Sequence, residues 1–282
     1  MKHNDYVNKQ VNKNAFFIKK KFSQNFLLDE NIIEKIVASG EIDQETCVIE
    51  IGPGFGALTK HIVKYAKKVL LYEIDQELIP HLNHLFRDHD NLSIIQKDFL
   101  KVENIDKDIS TYFGDAKVVV MSNLPYHITT PIIMKILEES QRVNRMVLMM
   151  QLEVAKRLTS MPNTKDYNAL SIIIQDQTEA KYLFKVPKTV FKPKPKVDSA
   201  VIRLDIRKER LRNPEFYQFI HKCFTQRRKT LTNNLNQAYN LDKTYIHRLL
   251  NEMHLQENIR AEALDIIQLK KIFSKLEEEG LR

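Results

Sequence analysis

Between residues 29 and 206, short apolar runs alternate with segments of helical periodicity, an order that few folds allow. Residues 29–39 are predicted to form a helix, with Asp29 as its cap and Gly40 as its stop. Seven runs are predicted as strands: CVIEIGPG, KVLLYEID, LSIIQKDF, KVVVMSNLPY, RMVLMMQ, ALSIIIQDQTEAKYLFKV and DSAVIRLDI. Because helix-like segments separate most of them, the sequence predicts an α/β fold with a Rossmann-like, doubly wound, mainly parallel seven-stranded sheet.

The C-terminal part of the chain is predicted to contain only helices. Asn213 is predicted as an N-cap and Pro214 as the first helical residue. Apolar residues then recur at helical spacing at Phe216, Phe219, Ile220, Cys223 and Phe224. We therefore expect three parts, which are a basic arm over 1–22, an α/β domain over 23–205 and a small all-α domain over 206–282.

Positive charge is concentrated at the two ends of the chain, whose formal net charge is +8. Residues 1–22 carry 6 Lys and Arg against 1 acid, residues 206–282 carry 15 against 10, and residues 23–205 carry 23 against 25. Clustered cations gain affinity for a polyanion by releasing its condensed counterions. The distribution favours a polyanionic partner, and the alternative is a basic surface that only keeps the chain soluble.

Composition disfavours several classes of protein. Hydrophobic residues make up 43% of the chain, enough for a core, but no apolar run approaches the length of a membrane span. The Lys- and Asn-rich N-terminus has no apolar segment of the signal-peptide type. Cys47 and Cys223 share no redox or ligand spacing, and the 9 histidines form no ligand pair. We therefore expect a cytoplasmic protein with free thiols and no metal.

A glycine-rich turn follows the first predicted strand. Three of the 6 glycines, Gly52, Gly54 and Gly56, fall within five positions in EIGPGFGALT. Glycine lets the backbone turn sharply and approach a ligand closely. Because a nucleotide is expected at the carboxyl end of the first strand in such a sheet, Gly52 and Gly54 are candidate ligand-binding residues.

Acidic residues end the next two predicted strands. Glu73 lies 21 positions after Gly52, where it would accept hydrogen bonds from both ribose hydroxyls. Asp98 ends the third strand and is placed to accept from an adenine amine. No P-loop Lys-Ser/Thr follows the glycines, which disfavours a triphosphate. These residues predict an adenosine ligand, either an NAD-like cofactor or S-adenosylmethionine.

The fourth predicted strand ends at Asn123, Leu124, Pro125 and Tyr126, beside the same ligand. An exocyclic adenine amine is a poor nucleophile because its lone pair is delocalised into the ring. The Asn123 side-chain oxygen and the backbone carbonyl of either Leu124 or Pro125 would accept both amine hydrogens and direct the lone pair towards a methyl donor. Tyr126 would stack on the base, a contact worth about 1–3 kcal/mol. Such a site works by positioning and oriented dipoles, without a covalent intermediate or a strong base.

Several motifs together carry a family resemblance. They are KKFSQNFLLD, IEIGPGFGALT, YEID, KDF, NLPYHITTPI, VFKPKPKVDSAVIRL and FTQRRKTLTNN, in this order. From about Lys19 to the C-terminus the chain resembles the KsgA-type ribosomal RNA adenine dimethyltransferases. The resemblance implies transfer of two methyl groups from S-adenosylmethionine to N6 of each of two adjacent adenines, in the hairpin loop near the 3′ end of 16S rRNA. It also implies a monomer that acts on the small ribosomal subunit or its late precursor.

The resemblance assigns roles by position. Asn25 and Leu27 would form a lid over the methyl donor, and Phe191 would stack on the second face of a flipped base. For Phe191 the alternative is a hydrophobic plug beside Pro193 and Pro195. The other implied donor contacts are Gly52, Gly54, Glu73, Asp98 and Asn123. Ser23 stands where the family usually has Gly, which puts the turn geometry of the arm in doubt.

Basic residues at both ends are candidate RNA contacts. They are Lys19, Lys20 and Lys21 in the arm, and Arg228 and Lys229 in FTQRRKTL. Arg227 falls on the apolar stripe of the predicted helix, three residues after Phe224 and four before Leu231. We expect Arg227 to form a partly buried ion pair. For Arg228 and Lys229 the alternative is a solvated helix face.

Three rival functions remain. An Erm-type enzyme would dimethylate one adenine of 23S rRNA with the same motif, although VFKPKPKVDSAV and QRRKTL favour the KsgA type. A small-subunit assembly factor would act mainly by binding, and the complete Gly, Glu, Asp and Asn set argues against a purely inactive binder. An NAD oxidoreductase would need an acid or base for hydride relay, and the sequence offers no evident one.

Overall fold

A computed structural model describes residues 25–210, 212–278 and 280. The basic arm, including Lys19, Lys20, Lys21 and Ser23, lies outside the described residues. The strands are β1 (Phe26–Leu27), β2 (Thr46–Ile51), β3 (Lys68–Glu73), β4 (Leu92–Gln96), β5 (Lys117–Asn123), β6 (Val143–Gln151), β7 (Thr178–Val186), β8 (Phe191–Lys192) and β9 (Ser199–Ile206). The helices are α1 (Glu30–Ser39), α2 (Thr59–Tyr65), α3 (Ile79–Leu85), α4 (Ile105–Phe113), α5 (Thr129–Glu139), α6 (Leu152–Leu158), α7 (Ala169–Gln177), α8 (Pro214–Cys223), α9 (Leu231–Tyr239), α10 (Lys243–Glu252) and α11 (Ile266–Glu278).

Seven strands form one sheet in the order β4-β3-β2-β5-β6-β9-β7. The neighbours from β4 to β6 are parallel, and β9 is antiparallel to β6. A separate two-stranded antiparallel ladder joins β1 to β8. The predicted Rossmann-like, mainly parallel seven-stranded sheet is therefore confirmed. Its parallel strands end at one edge, where the glycine turn, Glu73, Asp98 and Asn123 all lie.

The central strands are buried on both faces, as their continuous apolar runs predict. Every residue of β2 is buried, and Val118–Met121 of β5 are fully inaccessible to solvent. Helix α1 packs Ile33 and Ile36 into the same core. This packing makes the strand ends a rigid platform for the loops that follow them.

The residues divide into two compact units. Of the described residues, one unit contains those up to Ala155 together with Lys181–Lys208, and the other contains Lys156–Ala180 and those from Glu209 onward. The second unit is built mainly from helices, and α8 packs against α7, α9 and α11 within it. Its C-terminal portion resumes close to the boundary predicted near residue 206, whereas α7 joins it from an earlier part of the chain. Among the described residues, no helix combines the length and the hydropathy that a bilayer crossing needs.

The predicted helix caps are confirmed. The Asp29 side chain accepts a hydrogen bond from Ile32 N at 3.0 Å, and Gly40 ends helix α1. The Asn213 side chain accepts from Phe216 N at 2.8 Å, and Pro214 begins α8. Short polar side chains at these positions satisfy backbone N–H groups that a helix start leaves without partners.

The run ALSIIIQDQTEAKYLFKV was predicted as one strand, and this prediction is wrong for the first half of the run. Ala169–Gln177 forms helix α7, and only Thr178–Val186 is a strand. A capping box starts the helix, because the Asn168 side chain accepts from Leu170 N at 2.9 Å while the Ser171 hydroxyl accepts from Asn168 N at 3.1 Å. Burial of the isoleucines then outweighs their preference for strands.

Two further helices were not predicted, and one predicted helix is shorter than expected. Helix α4 follows an Asn104 cap and buries Ile105, Ile109 and Phe113, and α6 continues directly from β6. Helix α8 ends at Cys223, so Arg227 lies in a turn and not on an apolar helix stripe. Its predicted ion pair exists, with Glu262 at 3.3 Å, but the side chain is 47% exposed.

Candidate active site

A cavity of about 340 Å³ opens at the carboxyl edge of the parallel strands. Its walls come from β1, from the loops that follow β2, β3, β4 and β5, and from the start of α5. The sequence-predicted residues that line it are Asn25, Leu27, Gly52, Gly54, Glu73, Asp98, Asn123, Leu124, Pro125 and Tyr126. The fold therefore brings together residues that are up to 101 positions apart in the sequence, from Asn25 to Tyr126.

The glycine turn adopts a backbone conformation that other residues rarely reach. Gly52 has φ of 68° and Gly54 has φ of 59°. Gly52 N donates to Tyr72 O at 2.8 Å, which ties the turn to β3. An added Cβ on Gly52 would meet no atom within 4 Å, whereas one on Gly54 would lie 3.1 Å from Phe26 Cε1. The backbone at Gly52 is thus open to a ligand from that side.

Glu73 ends β3 and is fully buried. Its Oε2 accepts from Gly54 N at 3.2 Å and its Oε1 accepts from Asp75 N at 2.8 Å. Burial raises the pKa of Glu73, and the two backbone N–H donors oppose that rise. These contacts hold both carboxylate oxygens at the cavity wall, where each keeps a lone pair for a second donor.

Glu50 is a second buried acid on the cavity wall, and it was not among the residues predicted from the sequence. The residue is 2% exposed and its Oε2 accepts from Thr59 Oγ1 at 2.6 Å. Burial raises the pKa of Glu50 to about 8; the Thr59 hydrogen bond opposes the rise, and the charge of Glu73 adds to it. The signal for Glu50 was an acid inside an otherwise apolar strand, two residues before Gly52.

Asp98 follows β4 and caps a short 3₁₀ turn over Phe99–Lys101. Its Oδ1 accepts from Leu100 N at 3.0 Å. Within the described ranges Oδ2 has no hydrogen-bond partner, and it remains an acceptor at the cavity wall.

The hydrogen bonds around Asn123, Leu124 and Pro125 show which of the predicted acceptor atoms remain available to a ligand. Asn123 Nδ2 donates to Asn25 O at 3.2 Å, which leaves the amide oxygen as the acceptor. Pro125 O accepts from Ile128 N at 3.1 Å and from Thr129 Oγ1 at 3.2 Å. No described residue donates to Leu124 O, while Leu124 N is held by Met149 O at 3.2 Å. The geometry therefore favours Leu124 over Pro125 as the backbone acceptor beside Asn123.

Tyr126 lies half-buried on the loop between β5 and α5. Its hydroxyl shares a hydrogen bond of 2.9 Å with Ser199 Oγ. Burial raises the pKa of the phenol, so Tyr126 stays neutral at physiological pH. The hydroxyl end of the ring is thus anchored, and the residue is part of the cavity wall.

The structure does not place Phe191 in the cavity wall. The side chain is 5% exposed and belongs to the hydrophobic core, where its residue pairs with Leu27 across the β1–β8 ladder. This placement favours the hydrophobic plug, the alternative to base stacking, and a stacking role stays a prediction. Through the same ladder, Phe191 supports the segment that carries Asn25 and Leu27.

The candidate RNA contacts in the second unit are accessible. Arg228 and Lys229 are exposed in the turn between α8 and α9. Arg227 instead donates to Lys165 O at 2.7 Å in addition to its pair with Glu262. Arg227 thus has a structural role in this turn, and its two neighbours point their charge to solvent.

No cluster of three or more His, Cys, Asp or Glu side chains suited to a metal ion exists within the described part of the chain. The site is instead formed from two buried carboxyl groups, a glycine turn and a pair of amide-type acceptors. Such groups recognise hydroxyl and amine donors, and they supply hydrogen-bond dipoles in a partly dehydrated cavity.

Comparison with known proteins yields consistent matches over nearly the whole chain. A family model described as ribosomal RNA adenine dimethylase matches residues 15–271. The ribosomal RNA small subunit methyltransferase A of Bacillus pumilus (strain SAFR-032) is 46% identical over 278 residues, covering 95% of this chain and 94% of that protein. The protein of the same name from Streptococcus gordonii is 41% identical over 284 residues, covering 96% of each.

Solved structures share the fold. A 23S rRNA methyltransferase, ErmE, superposes with a TM-score of 0.71 at 27% identity, covering 90% of this chain and all of that one. A dimethyladenosine transferase from Plasmodium falciparum gives a TM-score of 0.77 at 24% identity, covering 91% of this chain and 98% of that one.

Proposed function

Because the chain belongs to the ribosomal RNA adenine dimethylase family, we propose that it methylates N6 of two adjacent adenines in the 3′-terminal hairpin loop of 16S rRNA, giving N6,N6-dimethyladenines. The relatives of 41–46% identity are named for the small subunit, which supports 16S rRNA over the Erm-type 23S rRNA target. The substrate is a small subunit or its late precursor, and the enzyme acts in the cytoplasm as a monomer.

The methyl donor is S-adenosylmethionine, which supplies an electrophilic methyl group on a sulfonium. The cavity suits its adenosine part. Glu73 would accept from the ribose hydroxyls and Asp98 from the adenine amine, since both offer carboxylate lone pairs at the wall. Gly52 would let the backbone approach the ligand, and the segment of Asn25 and Leu27 would cover it.

The observation that carries the proposal is the pair of acceptors at Asn123 Oδ1 and Leu124 O. At the first transfer they would together accept both hydrogens of the target N6 amine and concentrate its lone pair on nitrogen, which would bond to the methyl carbon as the carbon–sulfur bond breaks. S-adenosylhomocysteine would leave, and one amine proton would pass to solvent. Tyr126 would stack on the adenine ring and set its plane. No strong base is needed, because the catalytic contribution comes from dipoles that are oriented before the substrate arrives.

The function is tested with small ribosomal subunits that lack this modification and with labelled S-adenosylmethionine. We expect N6,N6-dimethyladenine at the paired hairpin adenines, located by mass spectrometry of nuclease fragments. Label that appears only in large-subunit RNA would refute the proposal. Subunits that bind the protein but gain no label would favour a binding factor without methyltransferase activity.

The acceptor pair is tested by Asn123→Ala. Removal of an oriented amide acceptor should lower the methyl-transfer rate by about 100-fold or more, while binding to small subunits persists. The matched control is Asn104→Ala, which removes the α4 cap outside the cavity. It should cost about 1 kcal/mol of stability and leave the rate unchanged. Normal turnover in Asn123→Ala would contradict the assigned role.

A further inference from the structure

Ser199 occupies a rigid position next to the cavity. It is the first residue of β9, is fully buried, and pairs with Gln151 of β6 in the antiparallel register. The preceding residue is anchored as well, because the Asp198 carboxylate accepts from Lys188 N at 2.9 Å and pairs with Lys185 Nζ at 2.7 Å. The Ser199 hydroxyl is therefore fixed by strand pairing and by the loop before it.

Tyr126 has no comparable support from secondary structure. It lies in a turn between the end of β5 at Asn123 and the start of α5 at Thr129, and its side chain is only half-buried. Its hydroxyl meets Ser199 Oγ at 2.9 Å, across 73 positions of sequence. This hydrogen bond links a loop side chain that lines the cavity to a fixed point of the sheet.

We propose that Ser199 is a positioning residue for methyl transfer, whose hydroxyl holds the long axis of the Tyr126 ring in the direction needed to stack on the target adenine. The inference rests on the proposed function and deepens it. Stacking requires the ring to lie parallel to the base at van der Waals distance. A tyrosine without this hydrogen bond would exchange between χ1 rotamers, some of which point the ring away from the cavity.

A purely structural role predicts a different result. The hydrogen bond would then satisfy a buried hydroxyl, and its loss would lower stability without affecting the reaction. Ser199→Ala and Tyr126→Phe remove the same bond from opposite sides, and the phenylalanine keeps the stacking surface. Comparing the two single variants with the double variant therefore isolates this one contact.

The test measures kcat and KM on unmodified small subunits, together with calorimetric binding of S-adenosylhomocysteine and the melting temperature. We expect each single variant to lower kcat about fivefold, as expected for a lost hydrogen bond of about 1 kcal/mol, with KM and S-adenosylhomocysteine binding unchanged. The double variant should fall no further than the singles. The control Tyr167→Phe removes a comparable buried hydroxyl bond, to Leu264 O at 3.1 Å, and should leave kcat unchanged.

The possible results of this test distinguish a failure of the positioning role of Ser199 from a failure of the proposed function. A wild-type protein without activity on these subunits would overturn both. An active wild type with unaltered kcat in Ser199→Ala and in Tyr126→Phe would overturn the positioning role alone. Independent effects that multiply in the double variant would overturn it as well. If Ser199→Ala unfolds below the assay temperature, Tyr126→Phe decides the question. It removes the same hydrogen bond at the half-buried tyrosine and leaves the buried serine intact.

Discussion

Replacing Gly54 by alanine is expected to lower folding stability and, by a separate effect, to weaken binding of S-adenosylhomocysteine about tenfold. At φ of 59° an alanine costs about 1–2 kcal/mol of folding stability. Its Cβ would also lie 3.1 Å from Phe26 Cε1, so either the turn or the Phe26 ring has to move. Movement of the turn loosens the hydrogen bond from Gly54 N to Glu73 Oε2. A hydrogen bond to a charged group is worth about 1.5–3 kcal/mol, and the lower value already corresponds to about a tenfold change in Kd.

The assay combines calorimetric titration with S-adenosylhomocysteine and thermal unfolding. Gly114→Ala provides the matched control, because Gly114 also has a positive φ, of 60°, with no atom within 4 Å of an added Cβ, and does not line the cavity. The control should lose about 1–3 kcal/mol of stability without a change in Kd. Equal loss of stability in both variants with an unchanged Kd in Gly54→Ala would refute the reasoning.

The remaining predictions concern pH and salt. Burial raises the pKa of Glu50 from 4.5 to about 8, so the folded protein keeps a proton that the unfolded chain releases. The stability that this group contributes is therefore complete below the unfolded pKa of 4.5 and is lost as pH rises from there through the folded pKa of about 8. Glu50→Gln should reduce the fall in melting temperature between these two pH values. An unchanged fall would contradict a buried, protonated Glu50. Reversing Arg228 and Lys229 to Glu should weaken subunit binding and flatten the slope of log Kd against log salt by about 2, whereas the same reversal at the exposed Lys101 and Lys107 should not. An unchanged slope would assign Arg228 and Lys229 to a solvated face.

The positions of the cavity residues were predictable because of the geometry of a parallel sheet. Strands that run in the same direction end at the same edge, so polar residues that directly follow apolar runs must converge there. Gly52, Glu73, Asp98 and Asn123 each follow or end such a run, and all four line the cavity. Glu50 was missed although it lies in the same motif, because an acid within a strand gives no indication of which face it occupies.

Prediction of secondary structure from the local sequence pattern was wrong at two places. The isoleucine-rich run before Gln177 suits a strand, but the capping box of Asn168 and Ser171 begins a helix. The apparent helical stripe through Arg227 has the correct spacing, but α8 ends at Cys223. In both cases periodicity alone did not decide the structure, because the spacing of apolar residues does not show where a helix begins or ends.

The α/β fold class, the site edge and the main acceptor residues follow from the amino-acid pattern alone, because alternation and strand ends are local properties that the parallel topology converts into proximity. The strand order itself was not predicted and comes from the structure. The choice of Leu124 O over Pro125 O, the anchoring of Tyr126 by Ser199 and the burial of Phe191 depend on the tertiary structure. The last two are decided by partners distant in the sequence, which are Ser199 for Tyr126 and Leu27 for Phe191, whereas Pro125 O is occupied by the nearby Ile128 N and Thr129 Oγ1 at the start of α5. Such partners are fixed only when the sheet and its loops have packed.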